Sequence, residues 1–232
     1  MPSLAAPVLQ EELMDDPGLD PATYAAVLKD LARVNRWTFA ARPTLSFLAR
    51  AMRGRTKLRL LDVGFGQGDM LRAVARWARK RGIEAHLVGV DLNPMSEAIA
   101  RAATDPALGI DYRTGDYADL LGDGYDVIIS SLVAHHMSEP QLAAFLRAME
   151  QHSRVGWLVN DLHRHRLAYA LFPVLTTMLR AHPIVRHDGL VSIARSFRPA
   201  EWRAKLDTAG LSCSPVRIVR TFPFRLCVER LR

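Results

Sequence analysis

The sequence predicts an α/β fold: a doubly wound, seven-stranded, mostly parallel sheet, with a helical N-terminal extension before it and a cap inserted after the fifth strand. Three observations predict it. Short apolar runs at 58–63, 85–91, 110–114, 125–131 and 156–161 alternate with segments of helical periodicity, the pattern of a parallel sheet. A glycine-rich turn joins the first run to the first of the following helices. A polar residue (Asp62, Asp91, Asp116, His135 or Asp161) stands at, or a few residues past, the end of each run, where such sheets bind ligands.

The 232 residues suffice for one α/β domain with its own core and an extension. Residues 1–56 are expected to be an N-terminal extension with lid helices, and 57–232 the sheet domain, with the cap at about 163–198. Cys213 and Cys227 make no disulfide framework, and the acidic N-terminal stretch does not read as a signal peptide, so a cytoplasmic location is expected. The longest apolar stretch, 167–179, contains Pro173 and is too short to span a bilayer, so no integral membrane segment is expected. A net charge of +7 permits a nucleic-acid partner. The arginines are nevertheless scattered beside acids without a compact run, and no nucleic acid is expected.

Residues 1–18 lack periodicity and read as an irregular lead-in. Asp20-Pro21 reads as an N-cap with proline in the first helical turn, and Tyr24, Val27, Leu28, Leu31 and Val34 keep helical spacing after it. Pro43 breaks the pattern, and a second helix follows at 44–52. These two helices either pack on the sheet or form a lid, with Asn35, Arg36 and Trp37 facing inward. Helices at 69–81, from Pro94 to about 103, and after Ser138, whose capping box pairs it with Gln141, separate the strands. After the fifth strand a largely apolar helix at 167–180 fits a buried or ligand-facing position, and 182–198 reads as irregular. A helix at 200–208 and strands at 215–221 and 224–231 close the chain.

In the central stretch, Asp62 stands two residues before Gly64, and Gly64, Gly66 and Gly68 alternate. Glycines allow positive φ and a close backbone approach, and the helix that follows offers free N–H groups. The spacing is G-x-G-x-G, not the G-x-G-x-x-G of dinucleotide sites. Asp91, 23 residues beyond Gly68, suits the two hydroxyls of a ribose, or alternatively caps the helix at Pro94. This D-x-G-x-G-x-G motif resembles that of class I, Rossmann-like S-adenosylmethionine (SAM)-dependent methyltransferases. The resemblance covers about 58–231 and implies SAM as cosubstrate, with no metal. It assigns Arg36, Asp62, Gly64, Gly66, Gly68, Asp91, Leu92, Asp116, Tyr117 and Ser131 to the cofactor. An acid after the third strand would hold the adenine amino group, with Asp119 the competitor of Asp116 and Tyr117 stacking on the purine.

Methyl transfer needs an aligned nucleophile and, for a phenol, a base. His135 lies in His-x-Met-Ser-Glu, similar to a stretch of phenol O-methyltransferases whose first histidine is the base. A histidine here also occurs in quinone C-methyltransferases, where it shapes the site. His163 and His187 are alternative bases, and Asp161 and His163 alternative binders of substrate hydroxyls. The segment 160–164 with His187-Asp188-Gly189 resembles small bacterial methyltransferases found with type III polyketide synthases. The resulting expectation is an enzyme acting on a small aromatic, phenolic substrate, as a monomer or homodimer. Rival readings are C-methylation of a quinol or polyketide ring, and a SAM-fold protein that binds without catalysis.

Overall fold

A computed structural model describes residues 4–232. The first helix, α1 (Pro21–Trp37), begins where the Asp20 carboxylate accepts the Thr23 N–H at 2.9 Å. α2 (Ala41–Ala51) starts before Pro43 rather than after it, because a proline in the first turn deprives the helix of no hydrogen bond. The alternation then runs β1 (Lys57–Val63), α3 (Asp69–Lys80), β2 (Glu84–Asp91), α4 (Pro94–Ala102), β3 (Ile110–Thr114), β4 (Tyr125–Ser131), α5 (Glu139–His152) and β5 (Ser153–Leu162). At the head of α5 the Ser138 N–H donates to the Gln141 side chain at 2.9 Å, as the capping box requires. After β5 come α6 (Arg166–Met178), α7 (Pro183–Arg195), α8 (Pro199–Thr208), β6 (Arg217–Thr221) and β7 (Arg225–Leu231).

The seven strands lie in the order β3-β2-β1-β4-β5-β7-β6, with only β7 antiparallel to its neighbours. The order reverses between β1 and β4, which places the ligand crevice at the C-terminal ends of those strands. Alternate residues of each strand feed opposite layers. Leu58 and Leu60 join Phe47 of α2 and Leu71 of α3 on one face. Leu61 and Val63 join Phe145 of α5 and Trp202 of α8 on the other. A third, smaller core unites Val27 and Val34 of α1 with Val185 of α7, so the N-terminal helix packs with the helices that follow β5.

Two expectations change. The stretch 182–198 is mostly helix α7: His182 accepts the Ile184 N–H and Pro183 follows, the same device as Asp20-Pro21. Gly189 hides that helix in the sequence, yet it is there because Phe172 of α6 would lie 2.1 Å from a Cβ at this position. The lead-in is also anchored. The Leu13 and Met14 N–H groups both donate to the buried Asp188 carboxylate at 2.9 Å, and Arg164 and Arg198 hold the Leu4 carbonyl. Residues 4–18 thus form a strap tied to Asp188 of α7, Arg164 and Arg198. Cys213 and Cys227 are both free thiols, and among the described residues no helix is long and apolar enough to cross a membrane.

Candidate active site

A cavity of about 650 Å³ opens where β1, β2 and β4 end, under α1, α6 and α7. Its first wall is the glycine-rich turn. Gly64 (φ 77°) and Gly66 (φ 53°) line the cavity in the left-handed region. At Gly64 a Cβ would fall 2.3 Å from Val133 Cγ2, whereas at Gly66 it would meet only Leu28, at 3.8 Å, leaving space for a ligand. Gly68 lies outside this wall. It packs against the Tyr112 ring and does not border the cavity.

Acids gather at this end. Asp91 accepts the Gly66 N–H and the Asn93 N–H, each at 2.9 Å, which ties the tip of β2 to the glycine turn. Asp62 is buried and neither of its carboxylate oxygens has a partner. Burial, with Asp69 and Asp91 adding repulsion, pushes its pKa up to about 8. Burial also raises Asp69 and Asp91. Three carboxyls held above their ordinary range mark a place that favours a cationic ligand.

The other end is built around His135, in the short turn Ala134–His136 after β4. Its Nδ1 is 2.7 Å from Asp161 Oδ1, and its backbone N–H donates to Asp161 Oδ2 at 3.0 Å. The Leu162 N–H also donates to Asp161 Oδ1, at 2.7 Å, so this carboxylate is engaged with His135 and its own strand end rather than with a substrate hydroxyl. His135 Nε2 has no hydrogen bond, and the nearest carboxylate, Glu12, stands 3.7 Å away. Burial would lower the pKa of His135, but Asp161 and Glu12 outweigh it and raise it to about 9. Burial would raise Glu12, yet its hydrogen bonds and its histidine neighbours bring it down to about 2.

Glu12, His135 and His136 converge closely enough to hold a metal ion. The donor set fits one poorly, because a cation is already there: Arg195 Nη2 is 2.6 Å from Glu12 Oε1 and 2.9 Å from His136 Nδ1. Ser192 completes the ring with a hydrogen bond to Glu12 at 2.6 Å.

The remaining assigned residues divide. Leu92, Tyr117 and Ser131 line the cavity, with Tyr117 braced edge-on by Phe145. Arg36 is exposed and outside the lining, whereas its neighbour Asn35 lies within it and donates to Asp69 at 3.3 Å. Asp116 caps the turn Tyr117–Asp123 through the Ala118 N–H and does not border the cavity. His163 lies in a separate cleft with His165 and Arg220, where burial and these neighbouring cations lower its pKa. His187 is also outside the main cavity and leans on Asp188 at 2.8 Å, so its role is to brace the strap. Neither lines the main cavity. Sequence reading missed Glu12, Asp69 and Arg225, all of which line the cavity. Glu12 sits in a lead-in with no periodicity, and Arg225 in an ordinary-looking strand.

Residues 60–156 match the methyltransferase domain family. The match covers less than half of the chain. It spans β1 to β5 and so holds the glycine turn, Asp91 and His135. The chain is 32% identical over 172 residues to a ubiquinone biosynthesis O-methyltransferase of Azorhizobium caulinodans, covering 72% of this chain and 63% of that protein. It therefore spans somewhat less than two thirds of that relative's length. Among solved structures, magnesium protoporphyrin IX methyltransferase of Synechocystis PCC 6803 with bound S-adenosylhomocysteine superposes with a TM-score of 0.56 at 16% identity, covering 94% of this chain and 91% of that one. Human N-acetylserotonin methyltransferase with SAM gives 0.60 at 15% identity, covering 92% and 56%. The fold is the seven-stranded, Rossmann-like fold of these methyltransferases.

Proposed function

We propose that the protein is a SAM-dependent methyltransferase that transfers a methyl group to the phenolic oxygen of a small, partly apolar aromatic acceptor. The observation that carries this reading is one cavity with an acidic, glycine-built end and a carboxylate-held imidazole at the other. SAM is a cation at its sulfonium and its ammonium, which suits Asp62, Asp69 and Asp91. Asp62 has two free oxygens for the ammonium, and Asp91 is placed for the ribose hydroxyls while remaining tied to the glycine turn.

His135 then takes the phenol proton at Nε2. Asp161 occupies Nδ1, fixes the ring and stabilises the imidazolium. With a pKa of about 9 His135 is mostly protonated at neutral pH, so the neutral ring that can take a phenol proton becomes more abundant as pH rises toward 9. The acceptor oxygen approaches on the Glu12 side of the ring and displaces that carboxylate from its 3.7 Å position. Val27, Leu28 and Leu31 of α1 and Phe172 and Leu175 of α6 give the cavity its apolar wall, which suits an alkyl-bearing ring of the polyketide or quinol type.

The test is an assay of the purified protein with SAM and a panel of alkylphenols, with product structure read by mass spectrometry and NMR. A methoxy product is expected. His135→Ala is expected to lower kcat by roughly 10²–10⁴-fold with SAM affinity retained, and higher pH to restore part of the rate. A ring-methylated product without a methoxy signal would replace this reading with C-methylation.

A further inference from the structure

Arg225 opens β7 and is 3% exposed. It lines the main cavity and, on its other side, the cleft of His163, His165 and Arg220. A guanidinium so deeply placed ordinarily meets a carboxylate, because an unpaired buried charge is costly. Here no carboxylate of the described residues pairs with it. Nη2 donates to the Asn35 side-chain oxygen at 3.4 Å, and Nη1 has no partner. The acids within electrostatic reach, Asp161 and Asp69, are engaged elsewhere, Asp161 with His135 and Asp69 with Asn35. The second cleft is otherwise lined by His163, His165, Arg220, Thr221, Phe222 and Phe224, none of which supplies an anion.

We propose that Arg225 is an anion-binding residue of the main cavity, holding the carboxylate of a ligand. The inference rests on the methyltransferase reading, which supplies two ligands able to bring that group. One is the amino-acid tail of the cofactor, reached along Asn35 and Asp69. The other is an aromatic acceptor with a carboxylate beside its hydroxyl, reached along Asp161 and His135. In the second case the substrate class narrows to hydroxybenzoates, with the hydroxyl at His135 and the carboxylate at Arg225. A planar guanidinium with a free edge suits a carboxylate better than a lone oxyanion, because the two oxygens match two N–H groups.

The experiment is calorimetry on wild type and Arg225→Met with two ligand pairs. The first pair is S-adenosylhomocysteine and its decarboxylated analogue. The second is a dihydroxybenzoate and resorcinol, each titrated into protein saturated with S-adenosylhomocysteine. In one pair the substitution is expected to weaken the carboxylate-bearing member by roughly 10- to 100-fold and leave the other member unchanged. The affected pair identifies the source of the anion. Unliganded Arg225→Met is also expected to melt no lower than wild type, since the charge it loses is uncompensated and the hydrogen bond it loses, to Asn35, is long. Should Arg225→Met fail to fold, Arg225→Lys, which keeps the charge and loses the fork, takes its place with the same ordering expected. Equal affinities for both members of both pairs, before and after substitution, would overturn the proposal. Failure of wild type to bind S-adenosylhomocysteine would instead count against the parent reading.

Discussion

His135 Nδ1 and Asp161 Oδ1 lie 2.7 Å apart with both side chains buried. Since the pKa of His135 is about 9 in the folded chain against an ordinary value of 6.5, the folded state holds this proton more tightly than the unfolded one. The resulting stabilisation is complete below about pH 6.5 and is lost as pH rises through about 9. The melting temperature is therefore expected to fall between these limits, and to fall less in His135→Gln. Asp161 works in the opposite direction. Burial opposes its ionisation, but His135 outweighs burial and lowers its pKa, so its contribution is present above the ordinary carboxylate range and is lost in acid. A melting curve that is flat from pH 6.5 to 9 would show that the pair does not form.

Glu12 has its own signature. Glu12→Gln removes the anion near His135 Nε2 and the partner of Arg195. The His135 titration, followed by imidazole NMR, is expected to move to lower pH. Stability is expected to drop by roughly 3 kcal/mol at neutral pH, because Arg195, whose side chain is 11% exposed, then loses its carboxylate. An unmoved His135 midpoint would place Glu12 outside the site.

Asp62 is expected to trade stability for binding. Its raised pKa of about 8 means that the folded state is favoured in acid and that this stability is lost between about pH 4 and 8. Asp62→Asn is therefore expected to be at least as stable as wild type at pH 8 without ligand, and to bind SAM roughly tenfold or more weakly. Calorimetry of wild type at pH 7 in buffers of different ionisation enthalpy is expected to show proton release on binding, as the acid ionises to meet the ammonium.

The two cavity glycines separate strain from occupancy. Gly64→Ala combines a left-handed backbone with a 2.3 Å contact to Val133, and about 2–5 kcal/mol of destabilisation is expected. Adding Val133→Ala should return the steric part and leave the backbone part, as denaturant titration of the double variant would show. Gly66→Ala meets open space and is expected to cost about 1–2 kcal/mol while weakening SAM more than Gly64→Ala does at equal folded fraction.

The sheet was legible because its strands are short apolar runs ending in single polar residues, and β3 and β4 fall at the expected bounds. The glycine-turn end of the cavity was legible for a related reason: Asp62, Gly64, Gly66 and Asp91 lie near one another in a local strand–turn–helix–strand unit. The His135 end was not. His135 meets Asp161 across 26 residues, Glu12 joins them from the other end of the chain, and Arg225 arrives on the last strand. No periodicity or spacing encodes such long-range meetings. Asp116 misled because an aspartate after a strand caps a turn as readily as it binds a ligand, and here it accepts the Ala118 N–H. Gly189 misled because a glycine inside a helix reads as a breaker until the Phe172 ring packed on it is seen.

The cavity sets acids that ionise as a cation binds, at the β1 and β2 tips, against an imidazolium toward β4. In the proposed reaction a sulfonium meets a phenolate, and both charges disappear in the step that joins them. The field that concentrates the two reactants at opposite ends therefore has much less hold on a thioether and an aryl ether. Substrate capture and product release then follow from the same arrangement of charge, and added salt should weaken the first more than it slows the second.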